Sequence, residues 1–150
     1  MKRSVLSLAA CIVLWATGAF ASGTDGILGT WTTEGGKSRV EIFECGRRLC
    51  GKILSLRDPV YSDPKDGPVG HPKTDRNNPD PSRRTDPIAG LTIMRGFAPD
   101  GPGVWDDGTI YDPENGKTYQ CKATLDGRNR LKVRGYIGIS LIGRTTVWTR

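Results

Sequence analysis

Short runs of alternating apolar and polar residues, each closed off by Gly, Pro, Asn or Asp, dominate the chain from residue 28 onward. In residues 39–44, Val40 and Ile42 alternate with Arg39, Glu41 and Phe43, the two-residue period of a strand with one buried face. Comparable runs cover residues 28–33, 49–56, 91–97, 117–125, 131–136 and 144–149. Residues 104–106 and 109–111 flank Asp107-Gly108, which predicts a strand with a tight turn or a bulge. Gly35-Gly36, Pro99-Asp100-Gly101-Pro102 and Asn115-Gly116 are turn signals of the kind that join hairpins. No segment sustains a helical period. The pattern predicts an all-β fold, an up-and-down antiparallel barrel of about eight strands, with a sandwich as the alternative. Strands at both ends of the series favour the barrel, because pairing first with last removes both edges.

Residues 57–87 break the rhythm. This stretch holds seven of the ten prolines and almost no apolar residues, so it cannot be a core strand. Loops beyond about 12–15 residues usually either carry function or are disordered. Here residues 72–80 are dense in side chains that bond their own backbone, which predicts an ordered loop covering one barrel end.

The first 21 residues read as a secretory signal. Lys2 and Arg3 precede an apolar run over 5–15 interrupted only by Ser7, and Ala19-Phe20-Ala21 forms an A-x-A cleavage site. The run is too short for a stable membrane span. Leu8-Ala9-Ala10-Cys11 resembles a lipobox, yet the apolar run continues past Cys11 through Phe20, whereas a lipidated cysteine should close it. The reading is therefore a signal peptide over 1–21, a single domain over 22–150, and a periplasmic or secreted protein that is not an integral membrane protein.

The formal charge of +6 includes Lys2 and Arg3 of the signal. The remaining cations are scattered along the strands rather than clustered with exposed aromatics, which argues against a nucleic-acid partner. Cys45 and Cys50 flank a four-residue turn; in an exported hairpin they are expected to form a disulfide. Their spacing fits neither a C-x-x-C redox pair nor a zinc site. Cys121 shares a strand face with Tyr119, Ala123 and Leu125 and is expected to be a buried free thiol.

Several blocks together resemble the bacterial "domain of unknown function 2147" family. They are Leu28-Gly29-Thr30-Trp31, Cys45-Gly46 with Leu49-Cys50-Gly51, and Lys73-Thr74-Asp75 with Asn77-Asn78-Pro79-Asp80. They continue through Tyr111-Asp112-Pro113 with Gly116-Lys117-Thr118-Tyr119, and end in the run over 134–141 with Gly143-Arg144-Thr145. The resemblance implies a small exported protein with a lipocalin-like barrel and carries no established activity. Gly29-Thr30-Trp31 is also similar to the G-x-W that opens lipocalins. That likeness implies a Trp plugging one barrel end, with Arg150 or Arg144 stacked on it.

Catalytic patterns are thin. Gly138-Ile139-Ser140-Leu141-Ile142 misses the G-x-S-x-G elbow at its last position, and His71 is the sole histidine. Asp75, Asn77 and Asp80, with Asp63 and Asp66 nearby, offer calcium-type oxygens without an EF-hand pattern; Asx-turns account for them equally. Asp106, Asp107, Asp112 and Glu114 could supply a carboxylate pair, but all lie in turn sequences. No catalytic residue, metal or cofactor is assigned.

The first reading is a binding module for a small hydrophobic or amphipathic ligand, since a barrel of about eight strands can enclose one. Val40, Ile42, Ile53, Ile93, Cys121 and Val133 would form its walls, with Trp31 near the closed end. Arg95, Tyr119, Arg134, Tyr136 and Arg144 could anchor a polar head, arginine suiting a carboxylate or phosphate. Strand alternation puts Leu131, Val133, Gly135 and Ile137 on one face and Arg134 and Tyr136 on the other. Alternatives are an envelope protein partner bound through residues 57–87, and a hydrolase using Asp112 and Tyr119.

Overall fold

Eight antiparallel strands pair in sequence order and close on themselves in the computed structural model, which describes residues 26–150. The expected signal peptide, its cleavage site and Cys11 lie outside the described residues. The strands are β1 (Gly29–Thr32), β2 (Ser38–Cys45), β3 (Arg48–Leu56), β4 (Thr92–Pro99), β5 (Val104–Asp112), β6 (Lys117–Leu125), β7 (Arg130–Tyr136) and β8 (Gly143–Thr149). Thr32 pairs with Thr149 to seal the sheet, so the barrel has no free edge to template aggregation.

Register follows the hydrophobic pattern. Trp31 faces Val40, Val40 faces Ile53, Ala123 faces Val133, and Leu131 faces Trp148. These side chains all turn inward and fill the barrel. Trp31, Trp105, Phe97, Met94, Leu131, Val40 and Cys121 are each less than 2 % exposed. Burying each such side chain contributes on the order of 1.5–3 kcal/mol. Glycines make room for the largest of them: the Phe97 ring lies over Gly108, and Met94 packs against Gly51. Of the residues expected to wall a cavity, Val40, Ile42, Ile53, Cys121 and Val133 instead form this packed core together with Trp31, while Ile93 is buried on the opposite side of β4 from Met94.

Alternate connections lie at opposite ends of an up-and-down barrel. One end is closed by Arg150, whose guanidinium sits 4.4 Å from the Trp31 ring centroid. Its nitrogens donate to the carbonyls of Gly26, Leu28 and Arg128 at 2.9, 3.1 and 3.0 Å. The second arginine considered for this stack, Arg144, lies elsewhere, 3.5 Å from Glu34. Cys45 and Cys50 form the disulfide across the β2–β3 turn, with Cα atoms 5.8 Å apart, and Cys121 is free and buried.

At Asp107-Gly108 the bulge is the form taken, and one other local expectation changes. Residues 104–112 are one strand, in which Asp107 takes a left-handed conformation (φ 61°) and forms a bulge between Trp105 and Gly108. A bulge absorbs the extra residue without ending the ladder. Ile137 does not share the inner face with Leu131 and Val133. β7 ends at Tyr136, and Ile137, Ile139, Leu141 and Ile142 are exposed on the β7–β8 connection. Arg134 holds that connection, donating to Ser140 O at 2.7 Å, Leu141 O at 3.2 Å and Thr145 Oγ1 at 2.9 Å. No helix among the described residues is long and apolar enough to cross a membrane.

Candidate functional site

The long loop between β3 and β4 is ordered by its own polar side chains. Tyr61 is buried, and its hydroxyl accepts from Thr74 N at 3.0 Å. Short bridges join Val60 to Pro72 and Thr74 to Pro87. The Asx-turn reading holds at two positions: Asp63 accepts from Lys65 N, and Asp80 accepts from Ser82 N and Oγ. Those two Ser82 donors hold the Asp80 carboxyl below the usual range.

Asp75 is the pivot. Its carboxylate is fully buried and accepts from Asn78 Nδ2 at 2.6 Å and from the Tyr111 hydroxyl at 2.7 Å. A buried carboxylate without donors would be costly, so this pair fixes where the loop sits. Tyr111 stands on β5, next to Ile110, which is paired with the core residue Met94. Alternation therefore points Tyr111 to the outer wall, and the loop docks there. Burial, and then the bond to Asp75, push the Tyr111 phenol up to about 12. A second tie is Asn77, whose amide donates to the carbonyls of Pro113 and Glu114 at 3.1 and 2.9 Å in the β5–β6 turn. Asp63, Asp75, Asn77 and Asp80, considered for calcium, thus have separate tasks, and no group of three His, Cys, Asp or Glu side chains suited to a metal occurs among the described residues.

Between the docked loop and the outer wall of β4–β6 lies a recess of about 230 Å³. Leu91 and Ile93, both nearly buried, supply apolar lining, while Arg95, Thr109, Tyr111 and Arg83 supply polar lining. A neighbouring recess of about 300 Å³ shares Arg83, Leu91, Thr92 and Arg95.

Of the six residues expected to contact a ligand, Arg95 alone lines this recess. Trp31 is buried under Arg150 at the closed end. The Tyr119 hydroxyl accepts from Asn115 Nδ2 at 3.0 Å, Arg134 holds the β7–β8 connection, and Arg144 reaches Glu34. Tyr136, half-buried beside Gly143, has its phenol raised by burial and then by the Asp106 charge. The hydrolase candidates Asp112 and Tyr119 are bridged by the same Asn115 amide, and Asp112 also caps Glu114 N. The other carboxylates considered for catalysis have cationic neighbours: Asp106 with Lys122 at 3.0 Å, Asp107 with Arg48 at 3.7 Å, and Glu114 with Lys37 at 3.4 Å.

Sequence reasoning missed the Asp75–Tyr111 pair, which joins residues 36 positions apart. The available signal was that Asp75, Asn78, Tyr111 and Gly116 all fall in the blocks that carry the family resemblance.

An eight-stranded closed barrel stopped by a Trp–Arg stack, with one long connection folded against its wall, is a lipocalin-like fold. A solved structure described as "Protein HP1028 from the human pathogen Helicobacter pylori belongs to the lipocalin family" has the same fold, with a TM-score of 0.69. It is 21 % identical, over 82 % of this chain and 81 % of that one. The chain belongs to the family "Uncharacterized protein conserved in bacteria (DUF2147)", whose family model matches residues 29–150. A comparison with curated proteins gives no significant match.

Proposed function

We propose that this is an exported binding protein, and that it holds a small amphipathic molecule in the recess between its long loop and the barrel wall. The observation that carries the reading is the loop itself. It is pinned by the buried Asp75 yet leaves a hollow lined by Leu91 and Ile93 on one side and by Arg95 and Thr109 on another. Such a pairing of apolar lining with a few fixed polar groups is what small-ligand sites share. The axis of the barrel is a poorer place for a ligand, because Trp31, Trp105 and Phe97 fill it. Export is supported by the signal-like residues 1–21 and by the Cys45–Cys50 bridge, which suits an oxidising compartment.

Native mass spectrometry of protein purified from periplasm, alongside a Thr109→Trp variant that fills the recess, tests this. The expected result is a small molecule bound to the wild type and lost from the variant, with the barrel circular dichroism unchanged. A molecule retained equally by the variant would place binding elsewhere, and absence of the protein from periplasm would overturn the export half of the reading.

A further inference from the structure

We infer that the head group of this ligand is an oxyanion, a carboxylate or phosphate, gripped by Arg95 with Arg83 as a second donor; the inference rests on the recess being the binding site. Arg95 is on a rigid wall, since its backbone pairs with Thr109 of β5. Its guanidinium has no hydrogen-bond or ion-pair partner among the described residues. Several other strand cations are neutralised, Lys52 by Glu41 at 3.0 Å, Lys122 by Asp106 at 3.0 Å and Lys132 by Asp126 at 3.2 Å; Arg39 and Lys117 also lack an ion-pair partner among the described residues, but neither lines a recess. Arg83 gives only its Nε to Asp86, at 3.1 Å, and its two terminal nitrogens have no partner among the described residues. Asp86 is the carboxylate lining the second recess, and this contact offsets its charge.

Two other polar residues of the lining are already committed elsewhere. Tyr111 gives its proton to Asp75, and Asn78 gives its amide to Asp75 while its Oδ1 accepts from Asp80 N at 2.9 Å. The buried negative charge of Asp75 is therefore met by groups of the recess wall rather than turned toward the ligand. What stays available is two guanidinium groups and the hydroxyls of Thr92, Thr109 and Thr118, a donor set suited to an anion. Guanidinium groups bind planar or tetrahedral oxyanions through paired N–H bonds, which an amide or alcohol head cannot match. Each hollow is at or below the roughly 300–1,000 Å³ typical of drug-sized ligands, so the body is short: a small organic acid or phosphate ester with an apolar tail against Leu91 and Ile93.

An NMR titration of the ¹⁵N-labelled protein with hexanoate, hexyl phosphate and the neutral hexanamide tests this. Saturable shifts are expected at the amides of Thr92, Arg95 and Thr109 with at least one of the two anions, and the tighter of them tells carboxylate from phosphate. Hexanamide should bind about tenfold more weakly. Arg95→Gln should weaken the anion about tenfold, roughly 1.4 kcal/mol, and leave hexanamide unchanged, whereas Arg95→Lys should recover part of the loss. Arg95 is exposed, so an unchanged spectrum elsewhere will show that the variants fold. Equal affinity for hexanamide and the anions, or an unaltered Arg95→Gln, would overturn the anion assignment while leaving the recess as a site. No shift at these amides with any of the three would overturn the recess reading and this inference with it.

Discussion

The guanidinium of Arg150 lies 4.4 Å from the centroid of the Trp31 ring, and this contact joins the end of β8 to the start of β1 where backbone pairing is least. The two strands share one registered pair, Thr32 with Thr149, so side chains complete the closure. Trp31 Nε1 donates to Ile27 O at 2.8 Å, and Arg150 meets the carbonyls of Gly26 and Leu28 beside it. The barrel is sealed by a stack and a fan of hydrogen bonds more than by a ladder.

Replacing Arg150 by Ala should therefore cost about 2 kcal/mol, combining a cation–π contact with bonds from a charged donor. Arg150→Lys keeps the charge but lacks the planar fork that reaches three carbonyls, and should recover less than half. Urea unfolding followed by Trp fluorescence measures both; full recovery by Lys would mean that charge alone matters.

The Asp75–Tyr111 bond sets the stability of the loop rather than that of the barrel. Tyr111→Phe leaves the buried carboxylate with one side-chain donor, Asn78, and should cost roughly 1.5–3 kcal/mol, as expected for a bond to a charged group. Hydrogen exchange locates the loss: amides of the loop around Asp75 and Asn78 should exchange faster, while those of β7 and β8 keep their protection. Uniform loss across the barrel would contradict this division.

Alkaline pH should weaken the fold, chiefly through two groups, with the raised Tyr136 and Lys122 adding to the loss. Tyr111 is raised from its ordinary 10 to about 12, chiefly by burial, and Cys121 is raised from 9 to about 12 by burial and then by the Asp106 charge. A folded-state value above the unfolded one means that the stabilisation is complete below the unfolded value and is lost as pH rises through the folded one. Stability should thus fall between about pH 9 and 12, and Tyr111→Phe and Cys121→Ala should each flatten the decline. The same burial keeps Cys121 unreactive: a thiol reagent at pH 8 should modify it only once the protein is unfolded.

The strands were legible because each carries its own period and its own turn. Val40 and Ile42 announce β2, and Asn115-Gly116 ends one strand and starts the next. The Trp31–Arg150 stack was legible through likeness to the G-x-W opening, and the Cys45–Cys50 bridge through spacing and export. What the chain's local pattern could not carry was any pairing between distant polar residues. Asp75 reads as one more Asx-turn residue beside Asn77 and Asp80, and Tyr111 as one more strand aromatic; nothing local says that they meet. The same limit explains the dispersal of Tyr119, Arg134, Tyr136 and Arg144. Alternation assigns a side chain to a face, but what occupies that face depends on where the long loop docks.

Docking also depends on a glycine. Gly116 closes the β5–β6 turn at φ 71°, its N–H donating to Asp112 O at 2.8 Å, and a Cβ there would collide with the Asn77 carbonyl. Both the left-handed backbone and the close approach exclude a side chain. Gly116→Ala should therefore cost more than the ~1 kcal/mol of conformational strain alone, because the loop must lift from the hairpin to admit the methyl group. Lifting it breaks the Asn77 bonds to Pro113 and Glu114 and opens the recess beside Arg95. The variant should keep the barrel spectrum, lose loop protection as Tyr111→Phe does, and bind an anionic probe more weakly although no residue of the recess has changed. Wild-type affinity in a variant with a demonstrably loosened loop would show that the barrel wall alone makes the site.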